Sequence, residues 1–324
     1  MTNDTPWAAN VRKTALEWDE ALAGRPLIHR QNFEIFVATE VVRDWGTFQR
    51  ILSTRFPKKN WAFRGHARHN WCLETSLERA ILRNVQMPGN PLIIGPVRMW
   101  PHYSERLLLI QFQRRAHHYL PNPPSDSELL DWFALMQHHG VPTRLLDWTF
   151  SPYVALYFAI ENCDLDIDSA VWAIDTDWLL QAANTALQKQ DPGFPAVPHW
   201  SEFNSYLNRN LLNESNISVV VLANPVRMND RVAAQQGVFL CNFSHIEPLD
   251  ISLLRMIVGP TPPKEPVIWK LAIRNTEKVQ FLRELSRMNI HGASLFPGLE
   301  GFARSLRVEL QMDVDEWVQS LGFS

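Results

Sequence analysis

Apolar residues recur along this chain at two spacings, helical and alternating, and the succession of the two predicts helices interleaved with short strands. Trp7 through Ala23 carries apolar residues at helical spacing and stops at Gly24-Arg25-Pro26, so residues 1–38 read as an appendage. A helix is predicted over 39–54, with Val41, Val42, Trp45, Phe48, Ile51 and Leu52 on one side. Phe56-Pro57 ends it, and Trp61 to Gly65 reads as a strand halted by glycine, followed by a polar loop from His66 to Trp71. Leu73 to Ala80 enters a further helix, and Pro88 to Pro101 reads as a loop or short insertion. Helices are expected over Glu105–Tyr119 and Asp126–Met136, separated by a linker at Pro121–Pro124. Further on, Ala170–Ile174, Val219–Ala223 and Val267–Ile273 read as strands, and Arg231 to Leu240 leads into another. Residues 177–187, Thr276–Met288 and Phe302–Leu310 read as helices, with loops over 188–200 and 250–266 and a turn over 294–301.

The stretch from Gln137 to Ala159 stands apart. Gln137, His138, His139, Gly140, Val141 and Pro142 form a polar turn in which Gly and Pro supply the freedom and restriction of a sharp bend. Thr143 to Thr149 mixes Arg144 and Asp147 with bulky apolar residues. Ser151-Pro152 then opens a helix, Ser as N-cap and Pro at the first helical position. From Tyr153 to Ile160 that helix is apolar nearly all round, which predicts burial against a sheet. Two readings of these charges stay open at this stage: a buried pair that pins the turn, or side chains lining a ligand site.

Length and composition narrow the class. The 324 residues suffice for a sizeable core, and 46% hydrophobic with 20% charged residues is the balance of a folded globular protein. A net charge of −3 gives no default attraction to nucleic acid or anionic membranes, though a local basic groove is compatible with it. Cys72, Cys163 and Cys241 are too widely spaced for a disulfide framework or a zinc site, which fits a reducing cytoplasm. No signal pattern opens the chain, and no apolar run reaches the length of a membrane span. His117-His118 lacks carboxylates or cysteines at ligand spacing, so no metal site is expected. The fingerprints of dinucleotide-binding βαβ folds, P-loops, zincins and serine hydrolases are missing.

Trp61-Ala62-Phe63-Arg64-Gly65, the run Gln137 to Thr149, and Ala155-Leu156-Tyr157-Phe158-Ala159 closely resemble the FRG domain family, named for the Phe-Arg-Gly triplet. Ala234 to Phe239 and Ser294 to Gly301 extend the resemblance over roughly residues 40–312. It implies a domain over 39–312, between the extension of 1–38 and a tail of 313–324. The motif order looks like that of ADP-ribosyltransferase folds. That implies an α+β protein with a mixed, mostly antiparallel sheet, helices packed around it and an ADP-ribosyltransferase-like core.

Those enzymes hold NAD with an Arg or His on a first strand, follow it with a Ser/Thr or aromatic position before a helix, and carry a catalytic Glu on a third strand. Here Arg64 matches the first position, Thr149 and Ser151 the second, and Gln235-Gln236 fall where the third would be. Arg64, His138, Arg144 and Asp147, charged or ionisable side chains beside buried helices and strands, are expected to line one pocket, and with Gln236 they are the candidate catalytic residues under the resemblance. The resemblance implies Arg64, Gly65, Thr149, Ser151, Trp148 and Tyr153 as binding residues for NAD, the substrate, with a protein or nucleic acid as acceptor. The neutral Gln235 and Gln236 depart from the pattern, because glutamine cannot ionise beside an oxocarbenium-like carbon. Asp147 and Glu300 are the carboxylates that could take that place. Two other readings remain: a nucleotide- or nucleic-acid-sensing module that turns nothing over, and a hydrolase or nuclease with His138 or His139 as base and Asp147 as its orienter.

Overall fold

The structure is a computed structural model that describes residues 33–58, 60–85, 100–163, 166–190, 192–212, 217–226, 230–244, 247–259 and 262–321. The amphipathic spacing of Trp7–Ala23 lies outside the described residues, as does most of the 88–101 loop.

Among the described residues seven strands form one sheet: β1 (Ala38–Val42), β2 (Trp61–His66), β3 (Leu145–Thr149), β4 (Ser169–Asp175), β5 (Val220–Ala223), β6 (Gly237–Asn242) and β7 (Ile268–Ile273). Their order is β1-β7-β4-β2-β3-β6-β5. Only β1 against β7 is parallel among the paired strands; the other pairs are antiparallel. The fold is thus α+β with a mixed, mostly antiparallel sheet. The helices are α1 (Trp45–Arg55), α2 (Ser76–Val85), α3 (Trp100–Ala116), α4 (Leu129–His138), α5 (Pro152–Ile160) and α6 (Thr176–Gln190). They continue with α7 (Phe203–Asn210), α8 (Asp230–Ala234), α9 (Leu249–Ile257), α10 (Lys278–Arg287), α11 (Gly292–Leu295) and α12 (Leu299–Ser320).

Both faces of the sheet are covered, which is why the central strands are apolar at nearly every position. One core contains Ala62, Leu146, Trp148, Trp172 and Leu240 with the α4 residues Trp132, Phe133 and Met136. The other contains Phe63, Val171, Ala173 and Leu271 with α5, α10 and the buried side of α12. As its composition predicts, α5 is buried at Val154 through Tyr157, Ala159 and Ile160, and the Ser151 hydroxyl caps it by accepting from Val154 N at 3.3 Å.

Three predicted elements differ. The 39–54 helix begins only at Trp45, where Asp44 accepts from Thr47 N at 2.7 Å; the β-branched residues before that cap form β1 on the sheet edge instead. Residues 250–266 contain α9, started after Pro248 and buried at eight of its nine positions. The last helix runs on from Leu310 to Ser320.

Candidate functional site

The central strands are unevenly joined. β2 pairs with β4 at every position from Trp61 to His66, but with β3 at one position alone, Phe63 opposite Thr149. Beyond that point β2 and β3 part. A split in mid-sheet leaves strand carbonyls without ladder partners, and these must find donors elsewhere. Arg64 supplies one: its Nη1 donates to the Asp147 carbonyl at 2.6 Å. The split is walled by Phe63, Trp148, Phe158 and Phe239, and edged by His138, Gln137, Asp147, Thr149, Arg231 and Gln235, enclosing about 310 Å³. A smaller lobe of about 100 Å³ lies on the other side of the Arg64–Asp147 bridge, with Ser76, Arg79 and Gly140.

Strand alternation puts Ala62, Arg64 and His66 on one face of β2. His66 is buried, and desolvation followed by the nearby Arg64 charge drives its pKa well below the ordinary value, so the ring is neutral. Arg64 Nε donates to His66 Nε2 at 3.0 Å, and Trp172 Nε1 approaches Nδ1 at 3.2 Å. The guanidinium is therefore oriented by a neutral ring and a backbone carbonyl. No carboxylate forms an ion pair with it among the described residues. Burial lowers its pKa to about 10, the Asp147 charge opposing that shift. The side chain stays cationic at neutral pH without an ion-pair partner among the described residues, the Asp147 charge offsetting only part of the burial, an arrangement suited to an incoming anion. A second donor is unused: the indole N–H of Trp148, buried in the same wall, has no hydrogen-bond partner.

Around this centre the other side chains have defined jobs. His138 ends α4 at the cleft edge; burial, then His139 and Arg231, lower its pKa, while Glu300 opposes them. His138 and His139 meet edge to face at 4.9 Å, and no hydrogen bond joins His138 to Asp147, so the base and orienter of the hydrolase reading are not coupled here. Gly140, at φ +80°, makes the turn that follows. Gln137 accepts from the Thr143 hydroxyl, which ties this turn to the start of β3. Thr149 closes the narrow end: its hydroxyl donates to Gln235 O at 2.7 Å and accepts from Ser151 N at 3.0 Å. Gln235 Nε2 donates to Leu295 O at 3.0 Å, drawing the segment of α11 to the site. Phe296 is approached by two guanidinium groups, Arg231 at 4.6 Å and Arg304 at 3.9 Å from its ring centre.

The residues singled out from sequence are thus distributed over different environments. Arg64, Gly65, His138, Asp147, Trp148 and Thr149 line the cleft. Arg144 does not line it. It is buried 39 positions away in sequence from its partner Glu105, which takes Nε at 2.6 Å and the Arg144 amide at 3.0 Å. Burial lowers the pKa of Arg144, but Glu105 outweighs it and holds the group above its ordinary value. Gln236 sits exposed in a left-handed conformation, φ 48°, at the turn before β6, and Gln235 is the glutamine in the cleft wall. Ser151 serves as the α5 cap, and Tyr153 packs against Trp45 and Phe48 with its hydroxyl toward Gln49 at 3.2 Å. Sequence reasoning missed His66 and Arg231. The alternation Ala62, Arg64, His66 could have found the first; no local pattern marks the second.

The Arg144–Glu105 pair carries a stability prediction. Removing one partner of a buried pair strands the other charge, at a cost of about 3–5 kcal/mol. Glu105→Ala should therefore lower the unfolding free energy by about that amount in urea titrations, while Glu105→Ala/Arg144→Met recovers most of the loss. Equal destabilisation of the single and double variants would refute this account.

Residues 59–166 match the family model of the FRG domain. The match runs from β2 through α5 and includes Arg64, His138, Asp147, Trp148 and Thr149, whereas Arg231 and Gln235 lie beyond it. No curated protein and no solved structure matches the chain. No described helix is long and apolar enough to cross a membrane.

Proposed function

Starting from the FRG domain this chain contains, we propose that the split between β2 and β3 binds a nucleotide, and that the protein is an ADP-ribosyltransferase-like enzyme that uses NAD to modify a macromolecule. The observation that carries the reading is Arg64: an oriented guanidinium, without an ion-pair partner among the described residues, in an aromatic-walled cleft. A guanidinium fork favours phosphate oxygens, and Phe63, Trp148 and Phe158 offer flat faces to a base or a nicotinamide ring. The volume of about 310 Å³ is at the lower end for small-molecule sites, and the lobe beyond Arg64 extends it. A cytoplasmic toxin or antiviral effector in a bacterium is the setting we infer for such an activity; its three free cysteines agree with a reducing compartment.

In this reading Asp147 is the carboxylate placed to stabilise positive charge at the ribose carbon as the nicotinamide bond breaks. Its side chain is exposed to the cleft between Arg64 and Trp148, whereas the turn before β6 brings the neutral Gln235. Asp147→Asn should keep the NAD-induced rise in melting temperature and reduce nicotinamide release by about 100-fold or more. A variant that releases nicotinamide at the wild-type rate would remove Asp147 from the chemistry.

The neutral Gln235 supports a second reading, a sensing module that binds the nucleotide without consuming it. The two separate on one measurement. Purified full-length protein incubated with NAD either releases nicotinamide or shows only a thermal shift. Absence of both overturns the nucleotide reading itself.

A further inference from the structure

The lobe on the far side of the Arg64–Asp147 bridge has a cation of its own, supplied by α2. The Ser76 hydroxyl donates to the Thr143 carbonyl at 3.2 Å and accepts from the Thr143 amide at 3.0 Å. Leu77 N donates to the same carbonyl at 3.1 Å, so the first turn of α2 is fixed on the start of β3. Arg79 follows Ser76 by three positions, which puts both on one side of the helix, and both line the lobe. The neighbouring carboxylate, Glu78, is engaged with backbone: its two oxygens accept from Thr75 N at 2.6 Å and from Leu249 N at 2.8 Å.

Arg64 lines the same lobe from β2. Of the donors on its guanidinium, Nε and Nη1 are used, and Nη2 makes no hydrogen bond among the described residues. The fold therefore brings two like charges to one small cavity. Their mutual effect is felt at Arg64, where burial lowers the pKa most, Asp147 opposes it and the Arg79 charge lowers it further. Among the lining residues two guanidinium groups stand against the single carboxylate of Asp147, so the lobe carries a net positive charge. Like charges held together favour an anion that joins them. At about 100 Å³ the lobe has the room of about three water molecules, enough for a tetrahedral oxyanion and too little for a nucleoside.

We propose that this lobe is an oxyanion subsite in which Arg79 and Arg64 together hold one phosphate group of the ligand. What carries that phosphate rests on the nucleotide reading above; the subsite adds Arg79 and the first turn of α2 to the binding machinery. The phosphate has two possible sources with the same chemistry, the pyrophosphate bridge of a dinucleotide or a phosphomonoester elsewhere on it.

Calorimetric titration of the full-length chain with inorganic pyrophosphate, NAD and NADP tests this. Wild type is expected to bind pyrophosphate at millimolar concentration, and Arg79→Gln to weaken that binding by about tenfold or more. Arg79→Lys, which keeps the charge, should recover part of the loss. Arg43→Gln, which removes an exposed charge that lines neither lobe, should change nothing. Arg79 is itself exposed and its Nη1 donates to the Glu74 carbonyl, so Arg79→Gln should melt within about 2 °C of wild type. A tenfold loss for NAD in Arg79→Gln identifies the pyrophosphate bridge as the occupant; a loss confined to NADP identifies the phosphomonoester. Pyrophosphate binding that is absent from wild type, or unaltered in Arg79→Gln, overturns the subsite, and NAD binding then leaves the nucleotide reading standing. Pyrophosphate bound through Arg79 with neither dinucleotide bound has the opposite meaning: the subsite stands and the nucleotide reading falls.

Discussion

Arg64→Ala should abolish the response to NAD without weakening the fold. Among the described residues its guanidinium makes two hydrogen bonds, to His66 and to the Asp147 carbonyl, and no ion pair with a carboxylate. Burial has already lowered its pKa to about 10, which makes its charged form less favourable in the folded chain than in the unfolded one. The sign follows directly. A cation with a depressed folded-state pKa subtracts from stability below about pH 10, and that cost fades as the pH rises toward the ordinary arginine value of the unfolded chain. Deleting it removes the cost along with two hydrogen bonds, so the melting temperature of the unliganded protein should stay within about 2 °C of wild type or rise. Ligand binding behaves oppositely. Truncating a buried charge that faces an anion costs about 2–5 kcal/mol, so affinity for NAD should fall by about 30-fold or more. Arg64→Lys keeps the charge but cannot reach His66 and the Asp147 carbonyl with one fork, and should fall between the two. Calorimetric melting with and without NAD reads both quantities. A large drop in melting temperature with the NAD shift preserved would make Arg64 a strand clamp and nothing more.

The reason Arg64 could be picked from sequence and Arg144 could not be set apart from it lies in range. Arg64 sits in a strand with an alternating face and a glycine behind it, all within five residues. The fate of Arg144 is decided by Glu105 on a different helix, and no local pattern announces a partner 39 positions away. The same limit hid the cleft. β2 reads as a strand from sequence, and the segment that becomes β3 reads only as two charges mixed with bulky apolar residues; their meeting at one ladder position is a tertiary fact. Where the local signal was strong, as in the capped apolar helix after Ser151, expectation and structure agree. Around Val41 and Val42 the helical spacing competed with β-branched side chains and an Asp44 cap, and the strand at the sheet edge won. The final helix, read from sequence as ending at Leu310, runs on to Ser320.

Gly65→Ala should cost the protein its fold. Gly65 faces α5, and a Cβ there would lie 2.1 Å from the Ala155 carbonyl oxygen, 2.6 Å from Ala159 N and 3.0 Å from the Phe158 carbonyl carbon. All three are backbone atoms of one buried helix, so no side chain can swing away to make room. Gly65 is an ordinary strand residue without a positive φ, so its value is space and not conformational freedom. For the methyl to fit, α5 must move off β2 by more than an ångström. That helix is buried on nearly all sides, so the shift spreads through the second core. Overpacking in a well-packed core costs typically about 1–3 kcal/mol, and a rigid backbone collision belongs above that range. Gly65→Ala should therefore be insoluble, or melt about 10 °C or more below wild type. Ala155→Gly should not rescue it, because the obstacle is the carbonyl and not the methyl. A Gly65→Ala protein that melts within about 2 °C of wild type would mean that α5 can lift freely from β2. In that case the orientation of Arg64, one residue earlier in the same strand, would have to come from His66 and Asp147 alone.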